Sequence, residues 1–297
     1  MGRLNLDLDV LRTYVVGIEL GSFAQAADRL GRSTSAVSAQ LKKLEMQAGT
    51  PLLRKAGRGM LPTEAGERLL AYARRLLALN DEAVDALRGM ELAGAVRLGM
   101  QEDFGERLLP DVLGRFARAH PRVHIEARIA RNVELLAQLQ RGGLDLALTW
   151  AVEGVPLRGT ELGEMAMRWI GLSGGLAAVG WQPGEPLPLV MFESPCLMRS
   201  AATAALDRAG MPWRLAFSSP SLGGVWAAVA AGLGVTVRTE VGLPATLAPL
   251  QDAVLPALPS IGLRLLWSEA TPSPACQRLG DIMLEQLAGL PQLSRAD

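Results

Sequence analysis

A chain of 297 residues, 49% hydrophobic and 20% charged, is long enough for two or three compact units with sizeable cores. Its 30 basic and 30 acidic residues cancel, which excludes a simple nucleic-acid coat and shifts attention to how charge is distributed. No apolar run reaches the length of a membrane span, and Asp7 and Asp9 interrupt the N-terminus, so a cytoplasmic protein without a signal peptide is expected.

The first expected element is a helix through Leu8, Leu11, Val15 and Ile18. Ser22 is placed to cap a second, short helix that has Ala24, Ala27 and Leu30 on one face. Gly31 stands where that helix ends and a left-handed turn is needed. Ser33 caps a third helix, whose Val37, Leu41 and Leu44 recur at spacings of four and three. Its other face carries Ser35, Ser38, Lys42 and Lys43. A helix of this kind fits the major groove, offering hydroxyls to base edges from its first turn and cations to phosphates further on. Gly49–Lys55 and Gly57–Thr63 read as two short extended runs with a basic, glycine-rich tip. Three helices followed by a hairpin make a winged helix. From Arg29 to Arg58, seven basic residues stand against Glu45 alone, an electrostatic footprint for phosphate.

In this segment the chain closely resembles the LysR-type transcriptional regulators. The resemblance is carried by Phe23, Ala26, Ala27, Leu30, Ser33, Ala36, Val37, Ser38, Gln40, Leu41, Leu44, Glu45, Gly49, Pro51, Leu52, Thr63, Ala65 and Gly66. The length and the second half of the chain also fit. The chain departs from the family pattern at Thr34 and Ser35, where Gln and Pro are frequent, and at Leu53, where an aromatic is usual. Thr34 cannot make the bidentate adenine contact open to Gln. The organisation implied is a winged helix-turn-helix over residues 1–62, a linker and dimerisation helix over 63–91, and an effector-binding domain over 92–297. Ser33, Thr34, Ser35 and Ser38 are the candidates for base or neighbouring backbone contacts. Gln40, Lys42, Lys43, Arg54, Lys55 and Arg58 are the candidate phosphate anchors.

Thr63 caps the next helix, with Glu64 and Glu67 opposing the positive end of its dipole. Leu69, Ala73, Leu76, Asn80, Ala83, Leu87 and Met90 then alternate at spacings of four and three, a seam about three heptads long. The alternative is an amphipathic helix lying on its own domain. No apolar element nearby in sequence offers to cover it, so dimerisation is the expected use, with Asn80 setting register.

After a linker at Leu92–Ala95, strands and helices alternate, which predicts α/β structure around a largely parallel sheet. Strands are expected at Val96–Met100, Val123–Ile129 and Leu144–Trp150, with helices at Leu108–His120 and Val133–Arg141. A second unit of strands and helices starts near Met165, and Ile261–Trp267 and Ala275–Leu290 return to the first. Subdomain I is thus about 92–164 and 265–297, and subdomain II about 165–264. Family resemblance implies a clamshell like a type 2 periplasmic binding protein, with ligand in the crevice at the carboxyl ends of strands. The crevice candidates are Glu102, Asp103, Phe104, Asn132, Thr149, Trp150, Cys196, Arg199, Ser200 and Ser218. Several begin helices whose N–H groups favour carboxylate or phosphate ligands, and Arg199 adds a charge-assisted contact. Glu102 and Asp103 have three readings: capping their own helix, holding Arg199 across the cleft, or selecting a ligand with a donor group. Gln101-Glu102-Asp103 together with Cys196–Ser200 is similar to the subgroup controlling motility, surface factors and virulence.

No nucleophile elbow, Walker loop or dinucleotide fingerprint is present, so no catalytic residue, metal or cofactor is expected. Cys196 and Cys276 are distant in sequence and read as free thiols. The expected partners are double-stranded promoter DNA, a second copy or a tetramer of this chain, an unidentified small-molecule effector and RNA polymerase. The rivals are a solute-binding module that carries a helical N-terminus and an α/β enzyme.

Overall fold

The structure, a computed structural model, describes residues 5–56, 59–87, 92–152, 154–155, 158–287, 290 and 293–294. It divides into two compact units. One comprises Met1–Glu91 with Arg115–Pro121 and Ala288–Pro291, and the other the remainder. Among the described residues no helix is long and apolar enough to cross a membrane.

The first unit begins with α1 (Leu8–Glu19), α2 (Phe23–Arg29) and α3 (Thr34–Ala48). Each starts on an oxygen-bearing cap: Asp7, Ser22 and Ser33 accept from Asp9, Gln25 and Ala36 backbone N–H groups respectively. Gly49 closes α3 in the left-handed conformation, at φ 67°. The hairpin β1 (Leu53–Ala56) and β2 (Gly59–Pro62) is antiparallel, with Arg54 opposite Leu61. It is pinned to α3 by Glu45, whose Oε1 accepts from Leu52 N (2.8 Å) and Leu53 N (3.1 Å). Thr63 then caps α4 (Glu64–Leu87) through Gly66 N and donates to Pro51 O, fastening the helix to the wing's base.

Leu70, Ala73 and Leu77 of α4 are buried against Leu11, Tyr14 and Val15 of α1, Leu44 and Leu52. The expectation that no neighbouring element covers α4 is therefore wrong, because α1 does so once the chain folds back. The face left outward carries Tyr72, Leu76, Leu79 and Ala83, all exposed. Residues 72, 76, 79 and 83 form a stripe, rotated from the seam read from sequence. Of that seam, Ala73 faces the core, Leu69 and Asn80 are half-buried at the border, and Leu76 and Ala83 share the outward stripe. Asn80 donates to Asp81 Oδ1 within its own helix (3.1 Å). The Leu87 side chain and Met90 lie outside the described residues.

The second unit contains β3 (Gly94–Met100), α5 (Glu102–Ala119, whose last residues count with the first unit), β4 (Val123–Ile129), α6 (Asn132–Gln140) and β5 (Leu146–Trp150). Then follow β6 (Arg158–Ala166), β7 (Arg168–Leu172), a single 3-10 turn at Gly175–Val179, β8 (Leu187–Phe192) and α7 (Leu197–Arg208). β9 (Trp213–Ser219), α8 (Leu222–Ala230), β10 (Thr236–Arg238) and β11 (Leu247–Pro249) complete the excursion. β12 (Ser260–Trp267), α9 (Pro274–Leu287) and β13 (Leu293–Ser294) return.

The larger sheet runs β13-β6-β12-β5-β3-β4. Only β3 pairs in parallel, with β4 and β5; the other ladders are antiparallel. The sheet is therefore mixed rather than largely parallel. The return strand β12 enters between β5 and β6, and β6 was not expected as a strand because its Gly, Thr and Glu residues hide the apolar alternation. Elsewhere β10-β7-β11 form an antiparallel sheet, and β8 pairs with β9 in parallel. A parallel bridge from Leu189 to Val235 joins these two groups. The crossover falls at β12, so residues 260–264 belong with the larger sheet, not with subdomain II. Helix α5 starts at Glu102, six residues before the expected Leu108, with Glu102 and Asp103 in its first turn.

Candidate functional site

On α3, Thr34 is exposed at the helix start, Val37 and Leu44 point into the core, and Ser35, Ser38 and Lys42 are turned to solvent on the other side. Met46, 80% exposed, lies on the same side. Ser33 is the cap itself, and its Oγ also lies 2.9 Å from Ser35 Oγ. Gln40 is tied to α1, where Thr13 Oγ1 donates to its Oε1 at 2.9 Å. Lys43 stands 3.5 Å from Asp7, on a different flank from Lys42. Asp7 is held below the usual carboxylate range, first by the Asp9 backbone N–H and further by Val10 N–H and Lys43. Arg54 and Lys55 are both exposed on β1, at successive positions that point to opposite faces of the hairpin. Arg58 lies outside the described residues. Outside the candidate set, Arg32 is paired with Asp9 at 2.7 Å.

The second site is a cleft of about 220 Å³ in the larger unit. Its lining gathers at the carboxyl ends of β3, β4, β5, β8 and β10: Gln101–Asp103, Ala130–Val133, Trp150, Phe192 and Arg238. The start of α7 completes it with Cys196, Leu197, Met198 and Ser200. Of the sequence candidates, Glu102, Asp103, Asn132, Trp150, Cys196 and Ser200 are brought together here. Phe104 and Thr149 are fully buried behind the wall, Phe104 with its ring centroid 5.2 Å from that of Trp150. Ser218 is exposed and outside the lining.

Arg199 does not line the cleft either. Its Nη1 donates to the Phe192 carbonyl oxygen at 3.2 Å, and the neighbouring Met198 faces inward in its place. Arg131 and Arg238 are the arginines of the lining, and Arg238, the last residue of β10, is 5% exposed. Its Nε donates to Asp103 Oδ1 at 3.1 Å, its Nη2 bonds both Asp103 oxygens, and its guanidinium carbon lies 4.8 Å from the Phe192 ring centroid. Asp103 thus does hold an arginine across the cleft, but a different one. The place of Arg238 at the carboxyl end of a strand is the signal by which it could have been found.

Glu102 does not cap its own helix. Its Oε2 accepts from Leu222 N at 2.5 Å, the first residue of α8. Ser221 Oγ accepts from Gly224 N, so α8's first turn is served by the chain's own oxygens. Asn132 is equally committed: its Oδ1 accepts from Trp150 N and from Gln101 Nε2, and its Nδ2 donates to Trp150 O. This exchange fixes the head of α6 to the end of β5.

Cys196 and Cys276 are both free; Cys196 is half-buried in the cleft wall and Cys276 is buried in the first turn of α9. Burial, with help from Asp145 and Glu269, pushes the Cys276 thiol up to about 12, so it stays protonated.

Comparison with known proteins places both halves. Residues 8–67 match the family described as bacterial regulatory helix-turn-helix protein, lysR family, and residues 90–288 match the LysR substrate binding domain. The chain is 37% identical over 279 residues to the HTH-type transcriptional regulator DgdR of Burkholderia cepacia, covering 92% of this chain and 91% of that protein. It is 36% identical over 258 residues to PecT of Dickeya dadantii (strain 3937), covering 86% and 80%. In fold it is similar to a LysR family regulator, PA01 protein, from Pseudomonas aeruginosa (TM-score 0.53, 22% identity, 95% of this chain and 99% of that one). It is likewise similar to DarR of Vibrio fischeri, solved in complex with DNA (TM-score 0.53, 16% identity, 94% and 99%). The chain belongs to the LysR family of DNA-binding transcriptional regulators.

Proposed function

We propose that this regulator reads an interrupted palindrome in promoter DNA with paired winged helices, and that a small molecule in the cleft of its larger unit modulates that binding. The observation that carries the DNA reading is the split of α3 into a buried Val37–Leu44 side and an exposed side of Ser35, Ser38 and Lys42, with Thr34 exposed at the helix start. The hydroxyls suit base edges and adjacent phosphates, while Lys42, Lys43, Arg54 and Lys55 supply sequence-independent phosphate contacts. Arg58 extends that set, and Gln40 orients α3 instead of touching DNA. Pairing of two copies uses the outward stripe of Tyr72, Leu76, Leu79 and Ala83 on α4. This places two recognition helices on half-sites related by a two-fold axis. Tetramers follow if effector domains also pair. A ligand that binds one state of the larger unit better than another shifts the population, and with it the spacing of the DNA-binding pairs.

The test is a DNase I footprint on DNA upstream of this protein's own gene, comparing the parent with Ser38→Ala/Lys42→Ala. A salt-sensitive footprint over a two-fold-related sequence, lost in the variant, supports the reading. Each lost phosphate contact lowers the salt slope by about one. Absence of protection at low salt, on that DNA and on a genomic library, sinks it.

A further inference from the structure

The cleft lies between two parts of the larger unit, one built on the larger sheet and one on β7–β11. The chain passes between them twice, from Ala166 of β6 to Arg168 of β7 and from Pro249 of β11 to Ser260 of β12. The two passages lie side by side: Leu250 N donates to Trp169 O and Trp169 Nε1 to Pro256 O, both at 2.8 Å. Two adjacent connections form a hinge, and opening at it would part the cleft walls. Asn132 and Trp150 stand on the wall of the larger sheet, and Phe192, Cys196 and Arg238 on the other.

The head of α5 bridges these walls. Gln101, just before it, donates from Nε2 to Asn132 Oδ1 on its own side. Glu102 Oε2 accepts from Leu222 N at the start of α8, on the far side. Asp103 bonds Arg238, at the end of β10, through both oxygens. The turn after β10 also presses on this head: a Cβ at Gly242 would stand 2.9 Å from the Asp103 carbonyl oxygen. The Asp103 and Arg238 side chains are 1% and 5% exposed, so separating them without opening the cleft to water would leave two buried charges unpaired. Ligand-driven closure draws on contacts that a ligand makes to both walls. Here the chain's own carboxylates make such contacts.

We propose that Glu102 and Asp103 form a latch that holds the cleft closed with no ligand in it, and that breaking either contact opens the cleft. The latch rests on the effector reading of the cleft only for its consequence at DNA, where release shifts the footprint without an effector. Cys196, half-buried in the cleft wall, gains access when the walls part. Cys276, buried in the first turn of α9, reports loosening of the fold as a whole.

The experiment times iodoacetamide alkylation of both thiols in the full chain, without ligand, by mass spectrometry. Glu102→Ala and Asp103→Asn are each expected to speed Cys196 alkylation by more than about threefold and to leave Cys276 unchanged. A Cys196 rate within about threefold of the parent in Glu102→Ala overturns the proposal, and so does a rise that Cys276 shares equally. Glu102 is only half-buried, so Glu102→Ala decides the matter even if Asp103→Asn fails to fold. Faster Cys196 alkylation with an unchanged footprint would refute control of DNA binding through the cleft and leave the latch standing. A shifted footprint with unchanged alkylation would refute the latch and leave that control standing.

Discussion

Glu45 pins the β1–β2 hairpin to α3, and Glu45→Ala tests how much of that attachment it carries. One carboxylate oxygen takes two backbone donors, Leu52 N at 2.8 Å and Leu53 N at 3.1 Å. Leu52 itself is 2% exposed, so its N–H has little access to water once the acceptor is gone. A hydrogen bond to a charged acceptor contributes about 1.5–3 kcal/mol, and an orphaned buried donor costs about 1–3 kcal/mol. Both donors share one oxygen and the site is only partly buried, so the sum falls short of doubling, at about 2.5 kcal/mol. That corresponds to about a 60-fold rise in local opening. Amide hydrogen exchange of the peptide spanning residues 52–56 reads this opening. The same variant should lower the salt slope of DNA binding by about two, as Arg54 and Lys55 lose their fixed position while the α3 contacts persist. Glu45→Gln keeps an acceptor oxygen and loses only the charge, so about tenfold or less is expected. Exchange within about threefold of the parent in Glu45→Ala would show that the wing is held by hydrophobic packing alone.

Gly66→Ala should destabilise the first unit by about 2–4 kcal/mol despite alanine's better helix propensity. A Cβ there would stand 2.2 Å from the Leu52 carbonyl oxygen and 2.7 Å from Tyr14 Oη, and chemical denaturation measures the loss. In the second unit, burial works to raise the Asp145 pKa, but hydrogen bonds from Arg97 outweigh it and hold the carboxyl below its ordinary 3.8. A depressed carboxyl stabilises the fold above about pH 4 and loses that contribution as pH falls through its folded value. Asp145→Asn should therefore lower Tm at neutral pH and flatten the acid limb of a Tm-against-pH profile; an unchanged limb would assign the acid sensitivity elsewhere. Leu79, 61% exposed in the α4 stripe, should convert the protein towards monomers on Leu79→Glu, read by sedimentation velocity. Unaltered sedimentation would move the pairing surface off that stripe.

Local chemistry determined much of the first unit. Ser22, Ser33 and Thr63 cap the helices they were assigned to, Gly31 takes the left-handed conformation, and the spacing of Val37 and Leu44 orients α3. These interactions reach only a few residues along the chain, so their signals are legible before any fold is known. The seam of α4 shows where that reach ends. Its heptad spacing says that one side of the helix is buried, but not which rotation of the helix α1 will cover. Tyr14 and Val15 decide that by packing on Leu70, Ala73 and Leu77. The cleft was legible as a set of strand ends and not as a set of bonds. Asp103 and Arg238 are 135 residues apart, as Glu102 and Leu222 are 120 apart. No periodicity links such pairs; only the placing of β3 and β10 beside one cleft does. Arg199 was the natural choice because it lies inside a helix-start motif, yet α7's rotation turned it towards the Phe192 carbonyl and gave the cleft to Met198. What the sequence determined by itself is therefore the family, the order of elements in the first unit and the exposed chemistry of α3. Which charges meet in the cleft was decided by tertiary structure alone, because a buried ion pair is specified by three-dimensional proximity and not by spacing along the chain.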